Sequence, residues 1–248
     1  YLEYFSSRQR DVRFIKTSYV YARKDIEVKY RWRLYNCIVF ETSYVDNIYI
    51  LYNGHWFRVE KDFAALVNSY VAQIPEADLL LPPSYNGESE QAYNMRASIK
   101  TGFLCLDRNT IRIDGNQIEV CDLLTDRNQL IHIKKWKSSA TLSHLFAQGR
   151  NSAESLLQDE GFRMATRELI ERTRPGYPST IGKDGLGKLE VVFGVVYSTN
   201  VPVHERLPFF SKLNMMNATK ALNARGVKVS VIRIEEKEKE KENTEEVI

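Results

Sequence analysis

Asp122, His132 and Lys134 combine residue types and spacing that suit metal-assisted hydrolysis. His132 and Lys134 are two positions apart in an apolar, strand-like stretch, so their side chains point to the same face of a strand. Asp122 precedes them across the turn-forming residues 125–128, and a hairpin in the matching register would place its carboxylate beside them. A carboxylate can hold Mg²⁺, while a lysine can orient a water or neutralise a phosphate. A solvated strand edge is the simpler interpretation, because lysine commonly occupies sheet edges.

The order of Asp122 and of Lys134 on the next strand resembles the PD-(D/E)XK superfamily of nucleases, which have the restriction-endonuclease fold. The resemblance implies that Asp122 holds Mg²⁺ or Mn²⁺ and that Lys134 positions the attacking water and stabilises the developing charge. His132 departs from the pattern, since the superfamily usually has Asp or Glu there. Because histidine suits Zn²⁺ or Mn²⁺ better than Mg²⁺, His132 is interpreted either as a metal ligand or as a substitute that contacts the attacking water.

Two helical residues extend the site that the resemblance implies. An acid on the first helix often completes the metal site in this superfamily, and Glu90 is the candidate, with Glu88 as the alternative. Acids at a helix start are also ordinary capping residues. A polar residue often lies on the helix after the catalytic lysine, where Gln148 is a candidate to position phosphate or water.

Residues 132–157 also resemble a sporadically distributed bacterial family of unknown function that is found near restriction and phage-defence genes, and the resemblance covers most of the chain. A Tyr-Asn pair recurs in that family, and Tyr93 and Asn94 match it. The resemblance implies that this pair supports the site and contacts nucleic acid, and that the chain acts in bacterial defence.

Basic side chains are concentrated around the candidate site. Residues 127–150 contain five basic and no acidic side chains, which suits a polyanionic partner. We expect Lys135, Trp136, Lys137 and Arg150 to contact nucleic acid, although such a stripe is also typical of a solvated surface.

Alternating helices and strands must position these residues. The elements expected are a helix from residue 88, strands at 102–106 and 110–113, the hairpin 118–133, a helix after Ser138, a buried strand at 188–199, a helix at 207–226 and a strand at 227–236. This order predicts an α/β (α+β) fold with a central mixed sheet flanked by helices. The restriction-endonuclease-like identity of that core depends on Asp122 and Lys134.

The N-terminal third is predicted to be rich in β-strands. Residues 1–33 interleave aromatic and basic residues, which can stack bases and contact phosphates, but which equally fit an ordinary strand pair. The Asn53-Gly54 pair predicts a hairpin turn, and apolar residues at helical spacing predict a helix over 61–74.

Composition and the positions of proline and glycine residues divide the chain into three parts. We predict a β-rich module with one helix over 1–80, a nuclease-like core over 81–235 and a charged low-complexity tail over 236–248. Prolines near residue 80 mark the first boundary.

Composition also limits the class of protein. Of the 248 residues, 43% are hydrophobic and 27% are charged, as in ordinary globular proteins. Three scattered cysteines argue against a disulfide framework and favour small core residues in a reducing cytoplasm. No apolar run or signal peptide indicates a membrane segment. The chain starts at Tyr1 rather than Met, which is typical of a fragment.

These features predict a divalent-metal-dependent nuclease in bacterial defence that hydrolyses nucleic acid, with DNA favoured over RNA. Two alternatives stay open. One is a non-catalytic nucleic-acid-binding module that keeps the nuclease fold after losing the acid at position 132. The other is an interaction subunit of a defence system whose basic face meets an acidic protein. Besides nucleic acid, the partners considered are a second copy of the chain, as a homo-oligomer, and a defence-system protein.

Overall fold

The computed structural model describes residues 11–24, 27–113, 115–181 and 188–238. By its internal contacts the chain divides into a first unit, residues 1–66, and a second unit, residues 67–248. Parts of two sequence predictions, residues 1–10 of the basic aromatic stretch and residues 239–248 of the tail, lie outside the described residues.

The first unit is rich in β-structure, as the sequence predicted. Its elements are α1 (Val12–Thr17), β1 (Tyr19–Lys24), β2 (Glu27–Arg33), a 3-10 helix (Leu34–Cys37), β3 (Phe40–Tyr44), β4 (Asn47–Tyr52) and β5 (His55–Arg58). Strands β1 and β2 form an antiparallel pair, and β3, β4 and β5 form an antiparallel meander. Asn53 and Gly54 both have positive φ and close the β4–β5 turn, which confirms the predicted hairpin. Cys37 is exposed rather than in a core, because it ends the 3-10 helix instead of lying in a strand.

Helix α2 (Lys61–Ala72) contains the point of division between the units. The remaining elements are β6 (Ser84–Tyr85), α3 (Glu90–Thr101), β7 (Leu104–Cys105), β8 (Thr110–Ile113), β9 (Asn116–Glu119), β10 (Leu123–Leu124), β11 (Gln129–Lys135), α4 (Ser139–Gln158), α5 (Glu160–Thr173), β12 (Glu190–Tyr197), α6 (Val203–Arg206), α7 (Phe209–Asn223) and β13 (Lys228–Lys237). Strand β13 continues to Lys237, two residues beyond the predicted end of the core at 235.

A six-stranded mixed sheet forms the centre of the second unit, in the order β6-β13-β12-β11-β10-β7. Four neighbouring strands, β6, β13, β12 and β11, run parallel to one another. Strand β10 is antiparallel to both β11 and β7. Strand β12 is almost wholly buried, as its continuous apolar sequence predicted. The prediction of an α+β fold with a mixed sheet flanked by helices is therefore confirmed.

Helices α3 and α4 contact the sheet through different sets of residues. Tyr93 and Ala97 of α3 pack in a buried cluster with Ile131 and Ile133. Alternate positions of the same strands pack against α4, whose Gly149 comes very close to the sheet: a Cβ there would lie 2.6 Å from Phe193 Cε1 and 3.2 Å from His132 Cδ2. Glycine therefore permits the close packing of α4 on β11 and β12.

The strand predicted to run through Asp122 is broken. Strand β9 ends at Glu119 and pairs with β8 in a separate two-stranded sheet, and β10 begins only at Leu123. Asp122 consequently lies in the junction between β9 and β10, where its side chain is not held to one face of a strand.

Candidate metal centre

Backbone hydrogen bonds fix Asp122 against β11. Its N–H donates to the Ile131 carbonyl at 3.0 Å, and its carboxylate oxygen Oδ2 accepts from the Ile133 N–H at 2.6 Å. The side chain thus takes an acceptor position next to the end of the β10–β11 ladder. This arrangement holds one carboxylate oxygen and leaves the other for a ligand.

Two further acids approach Asp122, one from a turn and one from the end of a strand. Asp107 follows Leu106, whose N–H donates to the Asp122 carbonyl at 2.9 Å. Glu119 ends β9, and its Oε1 accepts a hydrogen bond from the Arg108 N–H. One carboxylate oxygen from each of Asp107, Glu119 and Asp122 lies within 4.8 Å of the other two. We call these three residues the acidic cluster.

The charges of the acidic cluster are poorly compensated. Burial raises the pKa of Glu119, and the Asp107 charge adds to this while the Arg108 N–H opposes it. Burial raises the pKa of Asp122 well above its usual range, with the charges of Glu119 and Asp107 adding to the effect and Lys134 opposing it. Asp107 Oδ2 is buried without a hydrogen-bond partner among the described residues. A bound cation would lower the two raised pKa values and would give the Asp107 oxygen a partner.

Lys134 is held by Glu90, the acid predicted as a metal ligand. The Lys134 Nζ lies 2.7 Å from Glu90 Oε2, and the Lys135 N–H donates to Glu90 Oε1 at 3.1 Å. Glu88, the alternative ligand, forms an ion pair with Arg96 at 2.8 Å. The structure therefore brings neither acid into the cluster, and it makes Glu90 the carboxylate partner of Lys134.

His132 lies in the core, with only 2% of its surface exposed. Its ring faces Gly149 of α4, and its Nε2 has no hydrogen-bond partner in the described ranges. Burial lowers the pKa of His132 to about 3, so the imidazole is neutral. The structure does not bring His132 into the acidic cluster.

Gln148 does reach the cluster, because its Nε2 donates to Glu119 Oε2 at 3.4 Å. The predicted supporting pair lies on α3 and not in the acidic cluster. The Tyr93 hydroxyl donates to the Pro82 carbonyl at 2.9 Å, and the buried Oδ1 of Asn94 has no partner among the described residues. Tyr93 and Asn94 are each only 1% exposed, so they are placed as interior residues rather than as a surface.

Most of the residues predicted to contact nucleic acid are engaged within the chain. Lys135 forms an ion pair with Glu236 at 2.9 Å. The Trp136 ring is covered by the Arg206 guanidinium at 3.8 Å from its centroid. Arg150 pairs with a glutamate of its own helix. Lys137, which follows Trp136 in the chain, is exposed.

Sequence patterns did not single out Asp107 and Glu119. Asp107 begins an Asp-Arg-Asn turn, where an acid is expected for turn geometry alone. The available signal was their position, since Asp107 follows β7 by two residues and Glu119 ends β9, three residues before Asp122. Oxygen-only ligand sets suit Mg²⁺ and Mn²⁺, and the buried unpartnered oxygen of Asp107 fits that use.

The fold and the site define a mixed α+β protein with a three-carboxylate candidate centre for a divalent cation, on which the charge of Lys134 acts. The chain belongs to the Family of unknown function (DUF6119), whose model matches residues 1–235. No curated protein and no solved structure matches the chain. Among the described helices, none combines the length and the apolar character needed to span a membrane.

Proposed function

We propose that this chain is a divalent-metal-dependent nuclease that hydrolyses phosphodiester bonds of nucleic acid, with DNA favoured over RNA. The observation that carries the proposal is the acidic cluster, in which three carboxylates crowd together and burial raises the pKa values of two of them. The charge of Lys134 acts on the same two carboxyls, Glu119 and Asp122, and lowers their pKa values. The order of Asp122 and Lys134 on neighbouring segments supports the PD-(D/E)XK hypothesis, and the acids Asp107 and Glu119 take the place in it that the sequence assigned to Glu90 and His132.

The residues of the proposed site have different roles. Asp107, Glu119 and Asp122 would hold Mg²⁺ or Mn²⁺ through carboxylate oxygens. When bound, the cation supplies Lewis-acid activation of water and of the phosphodiester. Lys134 offers a positive charge to the phosphate, where negative charge develops during hydrolysis. Glu90 accepts a hydrogen bond from the amine of Lys134 and so orients it.

The biological setting belongs to the same proposal. The resemblance to a family found near restriction genes supports a role in bacterial defence, within the cytoplasm, alone or with a partner protein of the same defence system. A nuclease of that kind would act on foreign nucleic acid.

A non-catalytic nucleic-acid-binding module is the second candidate, and one observation favours it. The amine of Lys134 is already paired with Glu90 at 2.7 Å, and the position where the nuclease superfamily usually has a second acid is the buried His132. Such a module would bind nucleic acid and leave it intact.

Cleavage assays with the purified chain separate the two candidates. Labelled DNA and RNA are incubated with Mg²⁺ or Mn²⁺, with and without chelator. The nuclease proposal expects cleavage that the chelator abolishes and that Lys134→Ala reduces by at least about 100-fold, while Lys137→Ala, a neighbouring exposed lysine, changes it little. Binding without cleavage in any metal would establish the binding module instead.

A further inference from the structure

We propose that the β1–β2 hairpin of the first unit is a stacking surface for single-stranded nucleic acid, distinct from the acidic cluster. The carrying observation is a pair of uncovered aromatic rings on β2. Tyr30 is 61% exposed and Trp32 is 47% exposed. They are two positions apart on the strand and therefore share one face.

The residues opposite Tyr30 and Trp32 leave the rings open. In the antiparallel register Tyr30 faces Ala22, and Trp32 faces Val20, so the cross-strand neighbours are small or aliphatic. The two ring centroids are 5.7 Å apart with an interplanar angle of 24°. Adjacent, nearly parallel rings offer consecutive flat platforms, and every nucleobase has a flat face that can stack on them.

The opposite face of the hairpin combines an aromatic ring with a guanidinium. Arg31 lies over the Tyr19 ring, 4.7 Å from its centroid, and the neighbouring Tyr21 is 44% exposed. Within the described residues, the guanidinium of Arg31 makes no hydrogen bond or ion pair with the chain. Stacking holds the guanidinium in place and leaves its N–H groups available to a phosphate.

Charge determines which kind of partner fits this surface. Residues 12–40 contain seven basic and two acidic side chains, so the segment that includes the hairpin attracts a polyanion. Exposed rings cannot stack on bases that are already paired and stacked inside a duplex. The combination of open rings and positive charge therefore fits single strands, with little dependence on sequence.

Fluorescence anisotropy with a labelled oligothymidylate, measured in chelator, tests the proposal without metal. The intact chain should bind the single strand, and binding should weaken as salt rises. A Tyr30→Ala/Trp32→Ala variant should bind at least about 10-fold more weakly. Tyr44→Ala is the matched control, because Tyr44 is an exposed aromatic residue on β3, at 69% exposure, and it should leave the affinity unchanged.

A second readout covers the case in which the double variant fails to fold. The oligonucleotide should quench tryptophan fluorescence in the intact chain, and Trp32→Phe should lose most of that quenching while binding within a few fold of the intact chain. Equal binding by the double variant, equal binding of duplex, or quenching that persists in Trp32→Phe would overturn the proposal. Asp122→Asn should bind the single strand normally, so this surface can fail or succeed independently of the proposed nuclease activity.

Discussion

The Lys134 amine lies 2.7 Å from Oε2 of Glu90, which ties the end of β11 to the first turn of α3. Glu90 therefore acts on the proposed site through Lys134, whereas Asp107, Glu119 and Asp122 form the group that fits a cation. The ion pair is about one-quarter exposed, with 25% of the Lys134 side chain and 31% of the Glu90 side chain accessible. A partly exposed ion pair adds little to the free energy of unfolding, so its main effect is to position the amine.

Glu90→Gln should separate a positioning role from a ligand role. The amide keeps the size of the side chain but loses the charge, so we expect Lys134 to be less well oriented and the cleavage rate to fall by about 10-fold or more. The affinity for Mn²⁺ should stay within a few fold of the unchanged chain, as measured by calorimetry alongside single-turnover cleavage.

Glu236→Gln is the control for this change, because Glu236 pairs with the neighbouring Lys135 and should affect cleavage little. If Glu90→Gln lowered Mn²⁺ affinity as much as Asp122→Asn does, Glu90 would be a metal ligand and the positioning role would be wrong.

Asp122→Asn should stabilise the metal-free protein, and more so at higher pH. The folded-state pKa of Asp122 is raised, so the folded chain holds this proton more tightly than the unfolded chain. The carboxyl's contribution to stability therefore falls as pH rises above the usual carboxyl range. Asparagine carries no charge and can still accept from the Ile133 N–H. The variant minus wild-type difference in Tm, measured in chelator, should be positive at pH 8 and smaller at pH 5.

Divalent cation should reverse this order. At ten times its Kd the metal stabilises the unchanged protein by roughly 1.4 kcal/mol, and Asp122→Asn should lose most of that gain. A variant that is less stable than the wild type in chelator at pH 8, or one that keeps the full gain in Mn²⁺, would contradict the picture of a strained cluster.

His132 gives a pH dependence of opposite sign. Its folded-state pKa of about 3 is well below the usual histidine value of about 6.5, so the unfolded chain takes up a proton in this window that the folded chain does not. Stability from this group is fully present above pH 6.5 and is lost as pH falls from about 6.5 to about 3, by about 2 kcal/mol at pH 5. The Tm of His132→Leu minus that of the wild type should therefore rise as pH is lowered from 7.5 to 5. No change in that difference would show that the ring is not buried as described.

The sequence predicted the local parts of the site better than the tertiary ones. The β10–β11 turn follows from turn chemistry, and the direction of the Lys134 side chain follows from alternation along β11. Asp122 lies in the junction before β10 rather than on the predicted strand. Asp107 and Glu119 join Asp122 only because β9 leaves the main sheet to pair with β8 and because the Leu106 N–H bonds to the Asp122 carbonyl. No periodicity in the sequence encodes that pairing.

His132 shows a second limit of the sequence. Alternation along β11 predicts that it shares a face with Lys134, but the surroundings of a strand face change along its length. At His132 the face is covered by α4, since Gly149 lets the helix approach. Two residues later the strand reaches its end, and Lys134 meets Glu90. Alternation predicts the direction of a side chain, and only packing determines what it meets.

Gly149→Ala should destabilise the second unit because its Cβ would lie 2.6 Å from Phe193 Cε1. Overpacking of this kind costs roughly 1–3 kcal/mol, which thermal unfolding would record as a loss of several degrees in Tm. Gly161→Ala is the matched control: it is also in a helix, its nearest neighbour is the Asp159 side chain at 3.2 Å, and alanine favours the helix. Equal Tm values for the two variants would mean that α4 does not lie so close to the sheet.

Calorimetric titration of Mn²⁺ into the metal-free chain at pH 7.5 tests the acidic cluster most directly, because it requires no choice of substrate. One Mn²⁺ should bind per chain, and Asp107→Asn, Glu119→Gln and Asp122→Asn should each weaken binding by at least about 10-fold. Asp126→Asn, in the nearby β10–β11 turn, should bind like the unchanged chain. Absence of Mn²⁺ binding in the folded protein, or binding that none of the three variants alters, would contradict a metal centre at Asp107, Glu119 and Asp122.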